Sequence, residues 1–197
     1  MTPLLAPRSM PWLFFAALSA GLAFPGHAAK KTTYEPFVVL PAHRFETDGI
    51  CGDLSGTATA GNFLKGLQRI ETEQGVEFRR KSKVVREFPD DIEFSLEGKI
   101  GSCPGSLPNS ATSTVLNEFV SNLRITADWT DGNNSKRVSS LSVTTTPAVV
   151  GWMREYEEPR WRVSITIPSN GVSISDALDV SILSESGHKV MNFTFAL

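Results

Sequence analysis

"ESGHKVMNFTFAL" (185–197) closes the chain, and its last seven residues alternate. Met191, Phe193, Phe195 and Leu197 fall on one side of a strand and Asn192, Thr194 and Ala196 on the other, because successive strand side chains point to opposite faces. Such a stripe either seals a core shared with a second sheet or faces lipid as the last strand of an outer-membrane barrel. A small barrel needs spanning strands of roughly 9–11 residues and aromatic girdles at both interfaces. This chain has two tyrosines, Tyr34 and Tyr156, and several of its alternating runs hold only six or seven residues. The stripe therefore reads as one half of an interface between two sheets.

Upstream runs share the two-residue period. "DIEFSLEGKI" (91–100) sets Ile92, Phe94 and Leu96 against Glu93, Ser95 and Glu97. "NLRITADW" (122–129) and "WRVSITI" (161–167) repeat the pattern, placing Trp129 and Trp161 among aliphatic, core-facing neighbours. "YEPFVVL" (34–40), "VSSLSVTTT" (138–146) and "ALDVSIL" (177–183) complete the strands, with "TDGNNSK", "PSNG" and "SESGHK" as turns. "PAHRFETDGICGDLSG" reads as a long irregular stretch. One helix is expected near 62–74, where Phe63, Leu64, Leu67 and Ile70 share a helical face between Asn62 and Gly75.

Residues 1–28 have the form of a secretory signal peptide: Arg8, an apolar run too short to span a bilayer, then Gly26 and Ala28 at the positions that a signal peptidase reads. Beyond it, 18 of the 19 basic residues face all 21 acids, a net charge of −3. That balance lacks the basic footprint of a nucleic-acid partner. Nor does the mature chain hold a transmembrane segment. A secreted or periplasmic location makes the only two cysteines, Cys51 and Cys103, an expected structural disulfide.

The five bases in "EFRRKSKVVR" (77–86) could attract polyanions such as lipopolysaccharide or acidic glycans. Five acids follow in "EFPDDIEFSLE", and Phe88-Pro89-Asp90-Asp91 has the composition of a tight turn. A hairpin there would set Arg86 opposite Glu93 and Val85 opposite Phe94, neutralising the basic run.

The closing "LDVSIL", its polar turn "SESGHK" and the returning strand resemble the final hairpin of immunoglobulin-like and fibronectin-type modules of secreted bacterial proteins. The resemblance covers about residues 90–197. It implies an all-β, antiparallel immunoglobulin-like sandwich, with 29–89 as an N-terminal β extension or small subdomain. No Trp lies between Cys51 and Cys103, so the disulfide-and-tryptophan pin of antibody domains is absent.

Catalytic patterns are sparse. "GDLS" (52–55) only shuffles the GDSL hydrolase letters, and no G-x-S-x-G occurs. His43, in a Pro-bounded loop, and His188, in a hairpin turn, are the only histidines after the leader. Asp90-Asp91 and "EYEEP" (155–159) read as solvated acids. Asp128, Asp131, Asn133 and Asn134 offer oxygens that could suit Ca²⁺, but the spacing matches a hairpin better. No metal or cofactor is expected. Trp152, outside any clean strand, is the candidate ligand-binding residue. The expected function is a non-catalytic binding or assembly module with a protein or glycan partner in the cell envelope. A carbohydrate-binding module and a hydrolase with a loop-assembled site are the alternatives.

Overall fold

A computed structural model describes residues 29–105, 113–146, 160–169 and 171–197. The leader, Trp152 and residues 155–159 lie outside these described residues. The first half of the chain contributes β1 (Lys30–Thr33), β2 (Val38–Thr47), β3 (Ile50–Thr59), β4 (Gln68–Thr72), β5 (Gly75–Arg80), β6 (Lys83–Val85) and β7 (Ile92–Ser102). A short helix, α1 (Ser113–Ser121), precedes β8 (Arg124–Thr130), β9 (Ser135–Arg137), β10 (Ser142–Thr146), β11 (Arg160–Ile167), β12 (Ala177–Leu183) and β13 (Lys189–Phe195).

Among the described residues all strand pairs are antiparallel, in three sheets ordered β1-β4-β5-β6, β10-β11-β7-β3-β2 and β13-β12-β8-β9. The alternation from Ile92 onward governs the two larger sheets. Ile92, Phe94, Leu96 and Ile100 are buried while Glu93, Ser95 and Glu97 are exposed. In register with them lie Ile167, Ile165 and Val163 of β11. On the other sheet, Leu178 and Val180 of β12 lie between Trp129 and Ala127 of β8 and Phe195 and Phe193 of β13. The rings of Phe193 and Phe195 approach Phe94 at 5.1 and 5.8 Å, so the terminal stripe faces the other sheet. Each large side chain buried this way contributes roughly 1.5–3 kcal/mol. The described strands form separate sheets with distinct edges, β2 and β10 in one and β9 and β13 in the other, rather than one closed cylinder.

Several local expectations are corrected. The helix expected near 62–74 is a pair of tight turns followed by β4. Gly61 and Gly66 adopt φ of 54° and 74°, outside the helical region, and Phe63 and Leu67 donate backbone bonds to Ala60 and Leu64. Phe63, Leu64 and Leu67 are still buried, so the apolar spacing is satisfied by turns. The one helix among the described residues lies elsewhere, and presents Leu116, Phe119 and Val120 to the core.

No hairpin forms at 88–91. Phe88 is buried against Phe63, Trp129 and Phe195, which a turn corner would prevent. Val85 pairs with Phe78 instead of Phe94, and Glu93 lies between Thr59 and Thr166 instead of beside Arg86.

The stretch read as irregular forms most of the hairpin β2–β3. Its inward positions are Ile50, Gly52, Leu54, Gly56 and Ala58, an alternation that two glycines conceal. Pro41 lies at the register shift between Leu40 and His43, on an edge strand where a missing N–H is tolerated. His43 therefore belongs to a strand, opposite Leu54, and not to a loop. The segment 29–89 is divided: β2 and β3 extend the five-stranded sheet, while β1, β4, β5 and β6 form the small one.

Candidate functional site

Cys51 and Cys103 are bonded, with Cα atoms 4.8 Å apart. Cys51 sits in β3 opposite Gly101, and Cys103 directly follows β7, so the bridge clamps two neighbouring strands of one sheet. Glu46 lies beside the sulfurs, but bonded cysteines have no thiolate to offer a metal.

At one end of the two larger sheets, the β8–β9 turn and the 168–176 connection enclose a cleft of about 450 Å³. The first wall forms because Asp131 shapes its own turn. Its carboxylate accepts from the amides of Asn133 at 3.3 Å and Asn134 at 2.8 Å, and its own amide donates to the Asn134 carbonyl. Gly132 supplies the φ of 85°. These bonds, led by the Asn134 amide, hold the Asp131 carboxyl below the usual range.

The second wall is tied to the segment 86–91. Phe88 donates to the Val172 carbonyl, Ile174 to the Arg86 carbonyl, and the Ser169 hydroxyl to the Phe88 carbonyl. Asp176 stands on this wall, its carboxyl pushed up first by burial and then by the charge of Asp131. Lys136 lines the same cleft, whereas Arg137 is paired to Asp128 at 2.8 Å. Trp129 forms the floor, only 7% exposed, and its indole N–H is buried without an acceptor among the described residues. The cleft thus offers Lys136, the ion-paired Arg137 and two carboxylates of different basicity, a set suited to binding hydroxyl, amide or ammonium groups.

Of the four oxygen-bearing residues 128, 131, 133 and 134, the acids are engaged within the hairpin: Asp131 with amides, Asp128 with Arg137. Asp91 accepts from the Ser169 amide, and Asp90 lies against Gly61. Trp161 is buried, as the alternation predicts.

Asp48 of the β2–β3 turn meets Ser186 and His188 of the distant β12–β13 turn. The Ser186 hydroxyl donates to Asp48 Oδ2 at 2.7 Å, and His188 Nδ1 lies 3.1 Å from Asp48 Oδ1 and 3.0 Å from Ser186 Oγ. Serine and acid both meet the same ring nitrogen. A nucleophilic relay places them on opposite nitrogens, so that the proton taken from serine and the one held by the acid are separate. The cluster is a polar clasp between two turns, with Ser184 buried beneath it.

Sequence reasoning did not bring Asp176 or Lys136 to the cleft. Asp176 and Asp131 lie far apart in sequence and are brought together by the pairing of Ala177 in β12 with Thr130 in β8. No family model matches the chain, and no significant match was found among curated proteins or solved structures.

Proposed function

We propose that this chain is an exported, non-catalytic binding or assembly module of the periplasm or cell surface, built on an immunoglobulin-like pair of sheets. Strand order supports the scaffold. Taking β3, β7, β8, β10, β11, β12 and β13 as strands A to G, the sheets read A-B-E-D and G-F-C, with β9 beside C and β2 beside A. That is the arrangement of constant-type immunoglobulin domains. The disulfide departs from theirs, joining A to the end of B within one sheet.

Export is supported by the form of residues 1–28 and by the disulfide. Among the described residues, no helix is long and apolar enough to cross a membrane. The non-catalytic reading draws support from the geometry at His188.

The observation that carries the binding role is the cleft between Asp131 and Asp176, set at the sheet ends where modules of this architecture present their loops. Its test is cross-linked recovery of partners from the native envelope, comparing the wild type with Asp176→Ala/Lys136→Ala. A partner recovered by the wild type and lost from the variant supports the role. Equal recovery by both removes the cleft from it. A carbohydrate ligand is the second reading, favoured by the charged side chains Asp131, Lys136 and Asp176 beside the apolar surface of the cleft. Binding of neutral oligosaccharides on a glycan array, abolished in the same variant, would select it.

A further inference from the structure

Of the basic run 79–86, Arg79 is ion-paired to Glu77 within β5, while the bases from Arg80 to Arg86 face no acidic strand among the described residues. β5 and β6 make their own hairpin, turning at Lys81 and Ser82, away from the acids of β7. Glu97, for instance, is bound by Arg162 across β7 and β11. Arg80, Lys81, Lys83 and Arg86 line a groove of about 620 Å³ in which Glu87 is the one acid. Among the described residues, none of these four bases forms an ion pair.

Two local costs converge here. Lys81 and Ser82 hold φ of 47° and 65°, a turn geometry that normally calls for Asn-Gly. Arg80 and Lys83 stand directly opposite each other across the hairpin, and like charges in that position repel. Neither feature helps the chain fold. Arg80 is nevertheless fixed in place: its Nη2 donates to the Asn62 carbonyl at 2.6 Å, and its guanidinium carbon lies 5.7 Å from the centroid of the Phe63 ring. A cation held this way loses little freedom when an anion arrives.

We propose that this groove is a binding site for a ligand bearing clustered phosphate groups, which would bridge Arg80 and Lys83 and relieve their repulsion. The site is separate from the end cleft and independent of its role. Clustered phosphates occur both in soluble polyphosphates and on lipid headgroups, and the test separates the two.

Calorimetry of the purified protein with inositol hexakisphosphate as probe should give saturable one-site binding that weakens with added salt, while inorganic phosphate binds far less. Lys83→Glu should weaken the hexakisphosphate by about tenfold or more, as expected for a lost charge-assisted contact. Lys189→Glu, an exposed substitution of equal charge on β13, should change it little. Lys83 is exposed, so its replacement spares the packed core. A headgroup source is supported when phosphatidylcholine vesicles carrying phosphatidylinositol bisphosphate, whose headgroup bears several phosphates, also capture the protein through Lys83. Absence of hexakisphosphate binding, vesicle capture without it, or equal weakening by the two variants would overturn the proposal.

Discussion

Replacing Gly98 by alanine should destabilise the protein far more than a single methyl group suggests. Gly98 lies in β7 opposite Trp161 of β11, and an added Cβ would stand 1.8 Å from the Asp53 carbonyl oxygen and 2.6 Å from Trp161 Nε1. The first obstacle is backbone, which no rotamer change can move. The second is the indole that donates to that same carbonyl at 3.2 Å and packs edge-on against Phe45. Overpacking of this kind costs about 1–3 kcal/mol, and loss of the indole hydrogen bond adds about 1 kcal/mol. Removing a glycine from a strand returns about 0.5–1 kcal/mol. The net loss is about 1–3.5 kcal/mol, a fall in Tm of roughly 2–14 °C for a chain of this size. Gly101, three residues along the same strand, has nothing within 4 Å of its would-be Cβ, and Gly101→Ala should be neutral or slightly stabilising. Urea unfolding followed by tryptophan fluorescence measures both. Equal stabilities for the two variants would refute the idea that Trp161 requires a bare backbone beneath it.

Three further outcomes are expected. Cys51→Ser/Cys103→Ser releases a bridge spanning 52 residues, and thermal melts with and without reductant should show a loss approaching about 4 kcal/mol; no difference would contradict stabilisation through restriction of the unfolded chain. Asp48 has its carboxyl held below the usual range, chiefly by the Ser186 hydroxyl with Ser184 and His188 contributing, so its stabilisation is full above its ordinary range near pH 4 and is lost as pH falls through the lowered value. Asp48→Asn, which suits the φ of 54° equally well, should cost under about 1 kcal/mol at pH 7, given the residue's exposure, and nothing at strongly acid pH; a pH-independent loss would contradict the charge-based clasp. Asp176 is the opposite case, its carboxyl raised by burial and by Asp131, so its charged form weakens the fold above the raised value and ceases to do so as pH falls below about 4. Asp176→Asn should therefore raise Tm at neutral pH and leave it unchanged in acid, and a lower Tm at neutral pH would show that the carboxylate is engaged favourably in the cleft.

The two-residue period was legible wherever the inward positions carry large side chains. In β7 (Ile92, Phe94 and Leu96) and again at the C-terminus (Phe193 and Phe195), burial of such groups is large enough to decide register alone. It became illegible in β3, where Gly52 and Gly56 occupy inward positions. There the apolar surface comes from across the ladder: the Phe45 ring lies within 3 Å of the Cβ that Gly52 lacks. A pattern search on one strand sees a gap, whereas the sheet fills it with its neighbour's ring. The same logic explains why turns replace a helix at 62–67, since burial constrains where Phe63, Leu64 and Leu67 point but not the backbone that carries them.

The sites were less legible than the fold because they depend on what a charge is not paired with. The order of charges along 77–97 favours self-neutralisation, and nothing local argues against it. The decision is made by Phe88, a buried residue whose contacts with Phe63, Trp129 and Phe195 pull the chain away from a turn. Core packing of one ring, worth more than exposed ion pairs of about 0–1 kcal/mol, thereby keeps Lys81, Lys83 and Arg86 from pairing with the acids of β7. The same ring supports the floor of the other cleft through Trp129, and its backbone anchors the wall that carries Asp176. One apolar residue inside a charged stretch thus positions both candidate sites. Phe88→Ala is accordingly expected to cost about 3–5 kcal/mol, and the urea-unfolding comparison used for Gly98 would measure it; a loss below about 1 kcal/mol would mean that the basic run is held apart from its acids by something other than this ring.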